Sequence, residues 1–310
     1  MFDDGRLREY PNIASIFDYV NKRYTLFLKT YNYISASFSD DYLLFCEEIA
    51  TVLGEMHETE ASFANCLDAF IKYSHEYLLL QANLIRKGKY FYSNFDEVNQ
   101  KVYQSDMMNG YYLDGLFVSQ ILWPNHYKIG RYFIGLKNIT SVSSRILDMP
   151  SGAGIYSYFI VRHFQFNQLS SIDISPYSVL YTKKLLTSAG LWDTKKISLR
   201  VQDIYDLDDT LRYDLIVCGE LLEHVEDPEK LLIKIRQLLN DQGMLFLTTA
   251  IYAAAIDHIY LFKNTEEVRD LLSKHFLICS ELILPVSLEE YKVEMTNTPI
   301  NYACLLRKAG

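Results

Sequence analysis

Ile146-Leu147-Asp148-Met149-Pro150-Ser151-Gly152-Ala153-Gly154 is the stretch on which the reading of this chain turns. An aliphatic run passes into a short turn that holds two glycines. The residues that follow, GIYSYFIVRHF from Gly154, have the texture of a helix. A buried strand, a glycine turn and a helix in immediate succession make a ligand-binding arrangement. Glycine lets a ligand come close to the backbone, and the first N–H groups of the helix have no partner inside it.

Outward from that turn, toward the C-terminus, short aliphatic runs keep alternating with helix-like segments. SSIDI precedes PYSVLYTKKLLTSAG, and ISLRVQD precedes YDLIVCG and DPEKLLIKIRQLLN. GMLFLTT, EEVRDLLSKHF, LICSELIL and NYACLLRK complete the series. Such alternation predicts an α/β fold with a mostly parallel sheet and helices on both faces. Upstream the texture is helical from Asn12 to about Trp123. In its clearest helix, from Glu60, Phe63, Leu67, Phe70, Ile71, Tyr77, Leu78 and Ile85 recur at three- and four-residue intervals; it should stop at Gly88 after Arg86 and Lys87. A further helical stretch, MMNGYYLDGLFVSQILW, ends at Pro124. The expected organisation is a helical N-terminal cap over residues 1–125 and a ligand-binding α/β domain over 126–310.

Two more carboxylates fall at strand ends. Asp173 closes the second strand, where it can accept both hydroxyls of a ribose, and Asp203 closes the third, where it can accept from an adenine amino group. Capping or solvation explains any one such aspartate, but not easily a series at successive strand ends. A glycine pair also occurs in dinucleotide-binding turns. Here the third glycine of that fingerprint is missing, because Ile155, Tyr156 and Ser157 follow Gly154. Asp148, four residues before Gly152, would repel a pyrophosphate and suits a ligand carrying an ammonium and a sulfonium.

The run from about Arg145 to Thr249 resembles the core of the class I S-adenosylmethionine-dependent methyltransferases. ILDMPSGAG is similar to their first motif, SSIDIS to their second, YDLIVCGELLEHVEDPEKLL to their fourth-strand segment and LLNDQGMLFLTT to their fifth strand. IDHIYLFKNTEEVRDLL and NYACLLRK also resemble the end of that fold. The resemblance implies a Rossmann-like seven-stranded sheet and S-adenosylmethionine as cofactor. It implies that Asp148, Ser151, Gly152 and Gly154 surround the amino-acid part of the cofactor. Asp173 would hold the ribose with Ile174 and Ser175 beside it, Asp203 and Ile204 would frame the adenine, and Cys218, Gly219 and Glu220 would form the wall near the sulfonium. Pro150 departs from the family, which usually has glycine there; proline fixes φ and removes an N–H donor.

Methyl transfer from a sulfonium demands positioning more than any particular base. His224, one turn after Glu220, is a candidate catalytic residue or a brace for the cofactor loop. The end of the helical part, with Tyr111, Tyr112, Asp114, Ser119, Trp123, His126 and Tyr127, should close over the open end of the sheet. Within it Tyr112 is expected to face the sulfonium and His126 to serve as a base with a pKa near neutrality. His57 and His75 have no partner at metal-ligand spacing, and no metal is expected.

Composition narrows the partners. The net charge of −9 and the absence of any Lys/Arg cluster beyond pairs such as Lys183-Lys184 and Lys195-Lys196 argue against nucleic acid and anionic membranes. Twenty-five tyrosines and 17 phenylalanines fill cores but also line pockets for flat or cationic ligands. Five scattered cysteines without CxxC spacing suit reduced thiols in a cytoplasm. The N-terminus has no apolar run of signal-peptide type, and no apolar stretch approaches a membrane span. The leading expectation is a methyltransferase acting on a small molecule, with a homodimer through the helical part as a possible assembly. Two other readings stand beside it. One is an S-adenosylmethionine-consuming cyclase that makes a four-membered cyclic amino acid and methylthioadenosine. The other is a methyltransferase-like domain that holds the cofactor, or has lost it, and serves as a scaffold.

Overall fold

The computed structural model describes residues 4–286 and 298–309. Met1–Asp3, at the start of the charged N-terminus, lie outside the described residues. Helices α1 (Asp4–Leu7), α2 (Pro11–Arg23), α3 (Phe27–Ser37), α4 (Asp40–Met56) and α5 (Glu60–Lys87) lead the chain. Thr59 caps α5 by accepting from the Ser62 N–H at 3.1 Å, and the Gly88 N–H closes its last turn on the Leu84 carbonyl. Cys66, Leu67, Phe70 and Leu84 form its buried face, while Leu78 and Ile85 point outward.

After α6 (Phe95–Val98) the chain makes two π-helical turns, Asn99–Tyr103 and Met108–Tyr112, the second running into α7 (Leu113–Leu122). The sequence reads as one continuous helix from Met107. The sequence alone does not reveal where a turn widens within such a run. Helix α8 (Pro124–Gly135) then starts with proline in its first turn. Trp123, the residue before that proline, is extended, as the proline ring requires, and forms the corner between the two helices.

The sheet follows. Its strands are β1 (Arg145–Met149), β2 (Gln168–Asp173), β3 (Ile197–Val201), β4 (Tyr213–Gly219), β5 (Leu239–Ile251), β6 (Phe276–Pro285) and β7 (Ile300–Lys308). Between them run α9 (Ile155–His163), α10 (Pro176–Ser188), α11 (Pro228–Leu238) and α12 (Thr265–Ser273). The order is β3-β2-β1-β4-β5-β7-β6, parallel except for β7, which is antiparallel to both neighbours. This is the expected seven-stranded, mostly parallel, Rossmann-like sheet. The order reverses at β1, where ligands bind in such sheets.

Strand side chains alternate between two apolar layers. Ile146, Leu215, Val217 and Phe246 join the cluster shared with the helical part. Leu147, Ile216, Cys218, Leu245 and Leu247 join a second cluster with Leu231 and Ile235 of α11 and Leu272 of α12. The period of two places helices on both faces. Phe133 of α8 locks the helical part to the sheet, its ring 4.7 Å from that of Phe246 and 4.8 Å from that of Phe164. One local expectation needs correcting. DPEKLLIKIRQLLN reads as helix-like through Asn240 and GMLFLTT as the strand, yet α11 ends at Leu238 and β5 already begins at Leu239, paired to Tyr213 through an irregular register. The Asn240 side chain, which donates to Asp214 at 2.5 Å, holds this extension in the sheet.

The glycine turn after β1 carries a stability prediction. Gly154 has φ +77°, and a Cβ there would lie 2.9 Å from Thr182 Oγ1 and 3.1 Å from Thr182 Cα. Gly154→Ala therefore combines backbone strain with a clash against α10, and we expect a loss of about 2–4 kcal/mol. Gly152 has φ +50° but open space where a Cβ would stand, so Gly152→Ala should cost about 1–2 kcal/mol. Thermal melts of the two variants check the order; equal melting temperatures would contradict it.

Candidate active site

At the C-terminal ends of the parallel strands, beneath the helical part, lies a cavity of about 460 Å³, within the roughly 300–1,000 Å³ range of ligand pockets. One end is built by the loops after β1, β2 and β3. Asp173, buried at the tip of β2, organises it. Its Oδ2 accepts from the Gly152 N–H at 2.9 Å and its Oδ1 from the Ser175 N–H at 2.8 Å. Burial raises its pKa, and these hydrogen bonds oppose the shift. At the tip of β3, Asp203 caps a short 3-10 turn by accepting from the Tyr205 N–H at 2.9 Å. Pro150, Ser151, Gly152, Asp173, Ile174, Asp203 and Ile204 all line this end; the Met149–Pro150 peptide is cis.

The floor comes from β4. Gly219 and Glu220 line the cavity, and a Cβ at Gly219 would meet the Tyr156 ring at 2.4 Å. Glu220 has φ +49°, a left-handed conformation unusual for a side chain of that size, and its N–H bonds the Thr248 carbonyl at 3.0 Å. Behind it, fully buried Glu223 accepts from Thr249 Oγ1 at 2.6 Å and from the Ala250 N–H at 3.1 Å, and its carbonyl takes the N–H groups of Ile259 and Tyr260. Burial raises the pKa of both glutamates, and the charge of Glu220 adds to the shift of Glu223. Glu223 thus fixes the end of β5 to the loop that follows it.

That loop and the helical part make the other end. His224, on a 3-10 turn after β4, has its Nδ1 2.9 Å from the Tyr103 hydroxyl and 3.1 Å from the Asp257 carbonyl. The Tyr112 hydroxyl donates to Asp257 Oδ2 at 2.8 Å. Burial, followed by the Asp257 charge, pushes the Tyr112 phenol well above its ordinary pKa, so it stays a donor. Tyr103 and Tyr112 sit on the two π-helical turns, which bring one hydroxyl to His224 and the other to Asp257. Helix α5 and the segment after it strap the same loop down: Gln81 of α5 donates to the Tyr252 carbonyl at 2.9 Å and accepts from the Ala254 N–H at 2.8 Å, while Tyr90, beyond the helix, donates to the Ala253 carbonyl.

Against the residues expected from sequence, the cavity lining includes Tyr112, His126 and His224 together with the strand-end residues above, but not all of them. Asp148 is buried behind the turn, accepting from Ser157 Oγ at 2.5 Å and Ser171 Oγ at 3.3 Å. Cys218 points into the core on the opposite side of the sheet, as strand alternation dictates. Gly154 packs on α10, and buried Ser175 donates to the Tyr103 carbonyl at 2.9 Å. His126 is not a base of near-neutral pKa. Burial lowers it to about 4, and its Nδ1 is already engaged by Ser119 and Gln120.

Other aromatic and polar residues of the cap have different partners. Tyr111 bonds Glu76, Tyr127 bonds Asp41, and Asp114 accepts from Tyr181 and lies 3.3 Å from His57 Nε2. His75 packs edge-on against Tyr24. The sequence reading missed Tyr73, Tyr103, Tyr156, Asp257 and His258, all of which line the cavity. Asp257 and His258 had a usable signal: they follow a parallel strand at its C-terminal end, where such sheets bind ligands.

Comparison with known proteins agrees with this architecture. Residues 147–245 match the family described as "Methyltransferase domain". A ubiquinone biosynthesis O-methyltransferase of Xanthomonas oryzae pv. oryzae is 34% identical over 108 residues, 34% of this chain and 43% of the relative. One from Coxiella burnetii is 29% identical over 156 residues, 50% of this chain and 64% of the relative. The chain thus spans less than two thirds of the length of these relatives. Among solved structures, the N-methyltransferase NodS from Bradyrhizobium japonicum WM9, in complex with S-adenosyl-L-homocysteine, superposes with a TM-score of 0.46 at 17% identity, covering 61% of this chain and 92% of that one. The family match and the relatives favour methyl transfer over the cyclisation weighed from sequence. The stretch 147–245 of this chain is thus similar to a methyltransferase domain, and the sheet order and strand-end residues are consistent with that likeness.

Proposed function

We propose that the protein transfers the methyl group of S-adenosylmethionine to a small-molecule acceptor. The observation that carries this reading is the two-ended cavity, with carboxylates at the tips of β2 and β3 on one side and an aromatic cap on the other. The residues fit the cofactor. Buried Asp173 lines the cavity: its Oδ1 accepts the Ser175 N–H, and its Oδ2 accepts the Gly152 N–H with the Ser151 hydroxyl at a long 3.5 Å, an arrangement with capacity to accept from ribose hydroxyls. At Gly152 a Cβ would occupy otherwise open space, so the backbone there is approachable. Asp203 stands where an adenine amino group can donate.

S-adenosylmethionine brings an already activated methyl group on a sulfonium, so the residues of this chain chiefly bind, orient and exclude water. Tyr112, His126 and His224 are the polar groups we assign to the acceptor end. With its phenol held protonated, Tyr112 donates rather than accepts. Burial keeps His126 neutral, which avoids placing a second cation beside a sulfonium. The acidic surface and enclosed site fit a metabolite better than a nucleic acid, and no described helix is long and apolar enough to cross a membrane.

Mass spectrometry of the protein incubated with S-adenosylmethionine and fractionated cell extract tests the proposal. We expect S-adenosylhomocysteine only when the small-molecule fraction is present. Turnover on the tRNA or protein fraction alone, or methylthioadenosine formed above background, would overturn it.

A further inference from the structure

Asp257 is 2% exposed and lines the cavity. Its Oδ2 accepts from Tyr112 and lies 3.5 Å from His224 Nδ1, but its Oδ1 has no hydrogen-bond partner among the described residues. A buried carboxylate oxygen without a partner is costly, and the cost disappears when a ligand donates to it. The surroundings say what kind of donor fits. Tyr73 packs edge-on against Tyr112 at 5.5 Å between ring centroids and tilts against Trp123 at 5.6 Å, so three aromatic rings stand on the same side of the cavity as the carboxylate. Aromatic faces attract cations, and more strongly where water is excluded.

The charges of the lining agree. Asp173, Asp203, Glu220, Glu226, Asp227 and Asp257 contribute carboxyls, whereas Lys230 is the only lysine or arginine among the described lining residues. Lys230 lies 4.7 Å from the centre of the Tyr205 ring, at the Asp203 end. Burial lowers the pKa of His126 to about 4 and that of His258 to about 3, so neither supplies a cation near pH 7. At the Asp257 end no lysine or arginine is among the described lining residues, so an anionic acceptor there would face carboxylates without either. Asp257, Tyr73, Tyr103, Tyr112 and Trp123 all fall outside the matched stretch 147–245, so the chemistry they bring has to be read from this chain itself.

We infer that Asp257 is the recognition carboxylate of the acceptor site, and that the acceptor is a protonated amine on a flat or apolar body. The ammonium donates to Asp257 Oδ1 while Tyr73, Tyr112 and Trp123 surround its charge. Tyr112, by donating to Oδ2, fixes the carboxylate with Oδ1 left for the ligand. This assignment rests on the methyltransferase reading, which supplies the cofactor end.

Isothermal titration calorimetry of the whole protein, saturated with S-adenosylhomocysteine, tests it with three probes of similar size: phenethylamine, para-cresol and phenylacetate. Phenethylamine should bind at least about tenfold more tightly than either of the others, as one charge-assisted hydrogen bond provides. Asp257→Asn should lower phenethylamine affinity by about tenfold or more while leaving S-adenosylhomocysteine affinity within about twofold. Tighter or equal binding of para-cresol or phenylacetate, or no binding of phenethylamine, overturns the inference. So does an Asn variant that keeps phenethylamine affinity, or one that loses S-adenosylhomocysteine instead. The wild-type comparison stands by itself if the variant does not fold. Failure of the wild type to bind S-adenosylhomocysteine is a separate result, and it would remove the reading on which the inference rests.

Discussion

Asp173→Ala should reduce affinity for S-adenosylhomocysteine by more than about 100-fold, the largest effect expected of a single substitution at the cofactor end. The carboxylate has two tasks. It anchors the turn after β1 through the Gly152 N–H and its own loop through the Ser175 N–H. On the proposed reading it also takes both ribose hydroxyls. Hydrogen bonds to a charged group contribute about 1.5–3 kcal/mol each. Two of them lost from the ligand come to about 3–6 kcal/mol, before any loosening of the turn, and each 1.4 kcal/mol is about tenfold in affinity. Calorimetric titration with a parallel thermal melt separates the two tasks. A variant that melts near the wild type yet retains affinity within about threefold would show that Asp173 does not touch the cofactor.

Asp148→Asn should change how stability depends on pH. Asp148 is 1% exposed, and burial pushes its carboxyl up to about 7 despite the hydrogen bonds from Ser157 and Ser171. In the unfolded chain the same group titrates near about 3.9. Between those values the folded protein holds a proton that the unfolded chain has released. This contribution to stability is therefore fully present below about pH 4 and is lost as pH rises through about 7. At about 1.4 kcal/mol per unit, it amounts to about 3 kcal/mol between pH 5 and pH 8. Asparagine keeps the shape and cannot ionise. The melting temperature of the variant relative to wild type should accordingly rise from pH 5 to pH 8, by about 5 °C or more. A constant difference across that range would mean that Asp148 is ionised throughout.

Asp148 also shows how far the sequence could be read. Its position at the end of the first strand was legible, because the aliphatic run and the glycine turn fix where β1 stops. Its surroundings were not, since Ser157 and Ser171 are brought to it by α9 and β2 only in the folded chain. Sheet, strand-end aspartates and glycine turn all follow from local pattern: alternation of apolar faces, turn residues, and the rule that ligands sit at the carboxyl ends of parallel strands. The acceptor end depends on contacts between segments more than 100 residues apart, such as Tyr112 with Asp257 and Tyr103 with His224. No periodicity encodes these. The π-helical turns that aim Tyr103 and Tyr112 are equally silent in the sequence, and the lowered pKa of His126 is a product of burial that composition cannot disclose.

The central claim is that this cavity holds S-adenosylmethionine, and titration of the wild-type protein with S-adenosylhomocysteine tests it most directly. We expect one site per chain, with a rise in melting temperature that grows with ligand concentration, since binding to the folded state alone stabilises it by mass action. No heat of binding and no shift in melting temperature at millimolar ligand would contradict the account.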